Sequence, residues 1–506
     1  MAFNRSSGLH GRGAVLSVAF LLVALPLLGD TPAASSAAGI IDEWYAIELQ
    51  GKPAGYRRWT STPLQGGGYL VAIEEELSMK RDREVARARK KIAIEEDAAG
   101  KLLSFRVEQW LSDEPTRIEG VARDGRFHMK RSDGGGPQRE SEIPIPPDAL
   151  GDRRLRDVLK TALGKKGDRT AAVVFLPEPE FLRFAKQTFL VSDAVDPAPG
   201  RGKRLHVESS IDILPGIVQN EIYDGDLALQ SLSLEVAGLR FAMKRSTMKE
   251  VLEEDYGSPP EIFLSMAVRP RGKSSRGARE AEYVLSLREG SFQGPDVFRA
   301  AGQEVLESRG PASRVVRVRR TEPSSSVARP VPAPGGMEDC LRPNAYIQSD
   351  QKRIVDVARH TAGEEKDAWK AAVALERWVH EHIREKDLKV PFATAAEVVE
   401  SRKGDCTEHA VLLAALLRAS GIPSRVAAGL VESQGQFVGH MWTEAWLGDA
   451  VPGGWVVLDA TRGRGDVAAD RLAFGVSSLE TSDLPRFFLE VLLALGKLDM
   501  EVRATR

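Results

Sequence analysis

Cysteine is nearly missing from this chain: two copies in 506 residues, Cys340 and Cys406. That excludes a disulfide-stapled scaffold, because two thiols make at most one bridge, and one bridge adds little to a chain this long. Charge of one sign is missing too. Lysine and arginine number 70 against 72 acidic residues, so no overall field steers the chain to nucleic acid or to an acidic membrane surface. The most basic run, "KRDREVARARKK" at 80–91, has acids interspersed and reads as a solvated, charge-laced face; no nucleic-acid partner is expected. Past the N-terminus, no stretch stays apolar for the roughly 20 residues a membrane-spanning helix needs. What remains is an ordinary globular composition, 42% hydrophobic and 28% charged. It is too long for one core, and two to four domains are expected.

The N-terminus has its own pattern. Arg5 and Arg12 precede an apolar run at 14–28, and the small residues "TPAASSAAG" follow. This is the layout of a secretory signal peptide at 1–38, with cleavage expected within 33–38; left uncleaved, the run would serve as an anchor. No cysteine lies near the cleavage region, so no lipid attachment is expected. The mature protein is expected to be soluble, with no stable membrane span, and periplasmic or secreted. Export bears on the thiols, because cysteines in an oxidising compartment are usually paired. A Cys340–Cys406 bridge therefore stands beside a free thiol kept for chemistry.

Residues 40–255 read as a β-rich accessory domain. In "LLSFRVEQW" (102–110), Leu103, Phe105 and Val107 alternate with Ser104, Arg106 and Glu108. Asp124-Gly125 sits between two strand-like runs and signals a hairpin. The stretch at 227–245 reads the same way, and one helix is expected near 152–163. His128 and His206 stand alone and read as surface or satisfied side chains. A small β segment follows at 256–320, then a Pro/Ser/Gly-rich linker at 321–345, extended and semi-rigid. Helical periodicity begins near 346, with Ala372, Leu375, Val379 and Ile383 on one stripe. Residues 346–480 form the expected catalytic domain, and 481–506 a helix or strand extension.

Chemistry concentrates at "GDCTEH" (404–409). "TAAE" at 394–397 is a capping box, and the helix it opens stops at Gly404. The next helix begins at Asp405 or Cys406 and runs to Gly421, where "GIP" ends it. Asp405 can cap that helix, with Cys406 in its first turn. The dipole and the free N–H groups of a helix start favour thiolate over thiol, and the thiolate is the nucleophile. The same N–H groups could hold an oxyanion.

A cysteine nucleophile needs an imidazole, and the imidazole needs an orienting group. Two strand-like runs follow: "FVGHMWTEAWL" (437–447) and "GGWVVLDAT" (453–461), joined by a turn. With Leu447 opposite Pro452, His440 lies across from Asp459. Slipped by two residues, Asp459 faces Trp442, and His440 becomes its diagonal neighbour on the same face.

Blander readings attach to each residue. Cys406 could be a structural thiol, and Asp459 could cap a turn. His409, three residues along the same helix, rivals His440 as base, but it lacks a strand-borne acid and reads as a packing or hydrogen-bonding neighbour whose loss leaves most of the turnover. Cys406, His409, His440 and Asp459 number enough for a metal, yet structural zinc sites usually carry more sulfur; no metal or cofactor is expected. Trp442, Trp446 and Trp455 read as core and cross-strand packing, with Trp442 placed to wall an acyl site.

Taken together, "GDCTEHAVLLAALLRASGIPSRVAAGLV", "HMWTEAW" and "WVVLDAT" resemble the transglutaminase-like superfamily. The three blocks stand in the family's order, 34 and 19 positions apart (440 − 406 and 459 − 440), within about 346–475. The resemblance implies an α+β fold: a papain-like core of helices on an antiparallel sheet, here preceded by the large β-rich region. It implies Cys406 as nucleophile, His440 as base and later acid, and Asp459 as the orienter of His440. The expected activity is acyl transfer on protein or peptide amides, with hydrolysis favoured and protein cross-linking the alternative. An envelope binding or assembly protein with an inactive triad is the reading of another class. The β-rich region is the expected surface for any envelope partner.

Overall fold

The computed structural model describes residues 39–506 apart from 82–83, 134–135, 196–203, 215, 237–238, 255, 257–258, 260–266, 293–297, 334, 387–391, 464–466, 481–486 and 488–496. The expected signal peptide lies outside the described residues. So does most of the 481–497 stretch. No helix among the described residues is long and apolar enough to cross a membrane. The chain divides into two compact units, one reaching Glu261 and one running from Ile262 to Arg506.

The described residues of the first unit are built on one curled sheet of fifteen strands. Strands succeed one another in sequence order outward along both arms, and the first (Ile41–Leu49) meets the last (Leu239–Ser246) at the middle. Sequential antiparallel pairing is what short turns between alternating runs produce. Asp124 and Gly125, at φ 50° and 72°, form the expected two-residue turn that pairs Arg123 with Arg126. Curling brings Phe175 of one arm against Phe105 and Phe127 of the other, at ring-centre distances of 4.8 and 5.0 Å. The helix expected near 152–163 is α1 (Asp152–Ala162), and a short α2 (Met248–Glu253) follows the last strand.

Two expectations about faces fail locally. Leu103 does not share a face with Phe105. Glu95 pairs with Ser104 and Glu96 with Leu102, so Leu103 is bulged out and exposed while Leu102 takes the interior. The basic run is only half solvated. Arg87, Arg89 and Lys91 face out, but Lys90 points inward to Glu75 at 3.5 Å and Glu178 at 3.7 Å. The interior also holds Arg57, whose Nε donates to Glu75 at 2.7 Å.

Among the described residues, the second unit contains two sheets and four α-helices: α3 (Lys352–Ala362), α4 (Ala368–His382), α5 (Ala395–Ser401) and α6 (Cys406–Ala419). A four-stranded antiparallel sheet has the order Trp455–Leu458, Gln436–Trp446, Ser424–Ser433, Arg471–Ser477. A five-stranded sheet joins the 271–319 segment to the C-terminal strand Leu498–Thr505, which pairs with Glu280–Leu287. The small β segment and the C-terminal extension, expected as separate pieces, thus build one sheet. Residues read as linker are tied into the same unit. Ser324 N–H donates to Ala450 O, Arg329 N–H to Lys366 O and Val331 N–H to Gly421 O, at 2.8–2.9 Å.

α6 is apolar all round because it is packed on every side. It runs alongside the Gln436–Trp446 strand in the same direction. Thr443 Oγ1 donates to Ala410 O at 3.0 Å, and Ser424, paired with Ala445, donates to Ala414 O at 2.9 Å. That alignment carries the helix start to the His440 stretch of the strand.

Candidate active site

The helix start is built by local sequence. Asp405 is the N-cap of α6, its Oδ1 accepting from Thr407 N–H at 2.8 Å, and Glu408 reaches back to Asp405 N–H at 2.9 Å. This second capping box was not anticipated, although Asp405 and Glu408 stand three apart as such boxes require. Glu408 also accepts from Ala393 N–H, tying in the segment before α5. Gly404 is needed because a Cβ there would lie 2.3 Å from the Glu408 Cβ. The box has a chemical consequence. The N–H groups of Thr407 and Glu408 go to the Asp405 carboxylate, and that of His409 to Asp405 O. Of the helix-start donors expected to hold an oxyanion, only the Cys406 N–H is left to consider.

The hairpin takes the slipped register. Thr443 pairs with Leu458 and Trp446 with Trp455, and Leu447 N–H closes the turn on Gly454 O. Continued by one residue, this register sets Asp459 across from Trp442 with His440 diagonal to it. The side chains still meet: His440 Nε2 donates to Asp459 Oδ2 at 3.0 Å. The ring's other nitrogen, Nδ1, has no other hydrogen-bond partner among the described residues, and the Cys406 sulfur lies beside the ring and raises its pKa. Cys406, His440 and Asp459 are thus brought together, at 3%, 1% and 1% exposure. Trp442 stacks near the His440 ring, 6.1 Å away at 26°, within a cluster that includes Ala301, Cys340 and Trp455.

Three residues that sequence reasoning missed hold Asp459. Arg471 Nη1 donates to Oδ2 at 2.9 Å, Thr461 Oγ1 to Oδ1 at 2.6 Å, and the Asp459 N–H donates to Glu376 Oε1 at 2.7 Å. Glu376 is buried within α4, and Arg471 lies on the far edge strand. Only the i+2 spacing of Thr461 carried a signal, since a hydroxyl there commonly bonds back to an aspartate.

The electrostatics follow from burial against charge. Burial pushes His440 toward the neutral form, but the Asp459 charge and hydrogen bond, with Cys406 beside the ring, outweigh it and hold the imidazole at about 9. Burial likewise raises Asp459, and the His440 and Arg471 charges outweigh it, keeping the carboxyl well below its usual range. His409 behaves in the opposite way. Burial dominates and lowers it to about 4, while its Nδ1 donates to Asp405 O at 2.5 Å.

A pocket of about 140 Å³ reaches Cys406, bordered by His380, Gly404, Asp405, His409 and Thr461. Cys406 is buried yet borders this pocket. Both cysteines are free thiols. Cys340 lies beside Arg418 at the far end of α6, twelve residues and about 18 Å of helix from Cys406, beyond disulfide reach. No cluster of three or more His, Cys, Asp or Glu among the described residues could hold a metal ion.

Residues 355–460 match the model of the transglutaminase-like superfamily. This part of the chain is a transglutaminase-like domain. A protein-glutamine gamma-glutamyltransferase of Pseudomonas aeruginosa is 33% identical over 127 residues, 22% of this chain but only 18% of that protein's length. Among solved structures, a candidate cysteine protease of Cytophaga hutchinsonii aligns with 45% of this chain and 88% of its own, at 17% identity and TM-score 0.28. A beta-barrel-like protein of Brucella abortus aligns with 41% of this chain and 95% of its own, at 15% identity and TM-score 0.31. The transglutaminase-like domain holds all three site residues and three of their supports, Glu376, Asp405 and Glu408. Arg471 and Thr461 follow just beyond the matched range.

Proposed function

We propose that the protein is an exported cysteine acyl-transfer enzyme acting on protein or peptide amides, with Cys406 as nucleophile, His440 as general acid and base, and Asp459 as the orienter of His440. The observation that carries this reading is the Cys406–His440–Asp459 convergence, with a raised imidazole between the sulfur and the carboxylate. An imidazolium beside the sulfur favours the thiolate. The thiolate adds to the amide carbonyl and forms a C–S bond. His440 Nδ1 then protonates the departing amine as the C–N bond breaks. Asp459, ionised and clamped by Arg471, keeps the imidazolium in place through Nε2. A thioester remains, and the acceptor that takes its acyl group decides the activity.

Hydrolysis, with water as acceptor, is the favoured outcome. Cross-linking, with an amine as acceptor, is the second reading, favoured by the name of the Pseudomonas aeruginosa relative over the part it shares. Export rests on the N-terminal pattern of residues 1–38, and the β-rich unit is the proposed surface for an envelope partner. The test is alkylation at neutral pH: iodoacetamide should modify Cys406 selectively over Cys340, and Cys406→Ala should abolish turnover of a peptide amide. Equal inertness of both thiols in the folded protein would leave an envelope binder with an inactive triad. Peptide release against amine incorporation then separates the two acceptors.

A further inference from the structure

We infer that His409 is a second hydrogen-bond acceptor at the reaction centre, holding the incoming acceptor molecule against the thioester on Cys406. The inference rests on the reading of Cys406 as nucleophile and concerns the second half of its reaction.

The geometry has three parts. First, His409 and Cys406 are three residues apart on α6, on one face, with Cβ atoms about 5–6 Å apart, and both border the same pocket. A molecule lodged between them can contact both. Second, the tautomer is fixed. Nδ1 faces a backbone carbonyl, which can only accept, so Nδ1 carries the hydrogen and Nε2 presents a lone pair. Third, Nε2 takes no hydrogen bond among the described residues, and His409, though largely buried, keeps part of its surface at the pocket wall. Burial keeps the ring neutral down to about pH 4, so the lone pair persists at any ordinary pH.

Deacylation then has two acceptors with separate tasks. Water or a primary amine carries at least two hydrogens. One points to His440 Nδ1 and is abstracted as the new bond to the acyl carbon forms. The carbonyl π pair moves to oxygen. When the tetrahedral species collapses, the C–S bond breaks and sulfur leaves as thiolate, with the abstracted proton on His440. The second hydrogen stays bonded to His409 Nε2 throughout and fixes the attack direction. His440 therefore serves both halves of the reaction, and His409 only the second. The expectation that His409 is merely a packing neighbour is narrowed: its loss should spare acylation.

The test is pre-steady-state kinetics with p-nitrophenyl acetate. In His409→Ala the burst of p-nitrophenol should keep its rate within about twofold, while the following steady state slows by roughly three- to tenfold, the worth of one neutral hydrogen bond. His409→Gln, whose amide can donate to Asp405 O and still offer an oxygen, should recover part of the loss. An unchanged steady state, or a burst that falls in step with it, overturns the inference. Release of p-nitrophenol by the unaltered protein no faster than by Cys406→Ala would instead remove Cys406 as nucleophile, and this inference with it. A second measurement needs no variant. Methylamine, which keeps a hydrogen for His409, should discharge the acyl-enzyme at least threefold faster than dimethylamine, which does not; equal rates overturn the inference.

Discussion

Asp459→Asn removes a charge while nearly preserving shape, and its effect can be worked through from the site. His440 is buried, and burial alone drives an imidazole neutral; only Asp459 and the neighbouring sulfur hold it at about 9. Without the carboxylate, burial is the largest influence left, and the ring titrates below its ordinary 6.5. The imidazolium then loses at least the interval between those values, on the order of 3 kcal/mol. At pH 7.5 it falls from nearly complete to under a tenth of the population. The assay is the second-order rate of Cys406 alkylation by iodoacetamide between pH 5 and 10. The variant should label at least tenfold more slowly near neutrality, with reactivity recovering only as pH rises. A structural cost accompanies this. Arg471 loses the Asp459 charge, its Nε and Nη2 already lack hydrogen-bond partners among the described residues, and the acid that remains among them is Asp470, at 3.6 Å. A buried cation deprived of its nearest partner costs up to about 3–5 kcal/mol, so slow labelling alone could reflect loosened structure. Asp459→Asn combined with Arg471→Met removes the orphan. The double variant should melt closer to the parent yet label as slowly as the single one. Parent-like labelling in the double variant would refute the electrostatic reasoning.

Gly404→Ala should destabilise the domain by about 1–2 kcal/mol in denaturant titration, because its Cβ would collide with Glu408 and open the capping box at the nucleophile. Cys340→Ala should leave turnover unchanged, and the denatured, unreduced protein should take up two equivalents of alkylating agent; uptake of none would reveal a bridge. Stability should fall on both sides of neutrality. The raised His440 contributes fully below 6.5 and loses its contribution as pH climbs through about 9, whereas the lowered Asp459 contributes above 3.8 and loses its contribution on acidification. Calorimetry should show the alkaline decline in the parent and its absence in His440→Gln.

The site was legible where its determinants are local. A cysteine after a capping aspartate fixes its own place at a helix start, and strand parity puts His440 and Asp459 on one face. Parity cannot choose between registers two residues apart, since both preserve the apolar alternation. The turn chooses, closing Leu447 on Gly454 rather than on Pro452, and long side chains absorb the difference. The clamp was not legible for the opposite reason. Glu376 stands 83 positions before Asp459, and although it falls on the apolar stripe of its helix, four residues after Ala372 and three before Val379, nothing in the sequence names its partner. Arg471 resembles any arginine at the start of a strand, and the sheet order sets that strand at the edge opposite the one Asp459 follows; only its long side chain, reaching across, brings the two together.

The β-rich unit shows the same division within one side chain. Lys90 lies directly across from Glu75 on the neighbouring strand, a pairing that hairpin register alone can suggest. What register cannot say is which face is the interior, and a run of Arg and Lys argues for the outside. Lys90 is buried because the sheet curls until Glu178, from the far arm, comes within 3.7 Å. Curling is a property of fifteen strands twisting together, not of any one of them. A charged residue in an inward register is therefore intelligible only after closure supplies its second partner. For that reason the transglutaminase-like domain, whose key contacts lie on adjacent elements, could be read from sequence in a way the larger sheet could not.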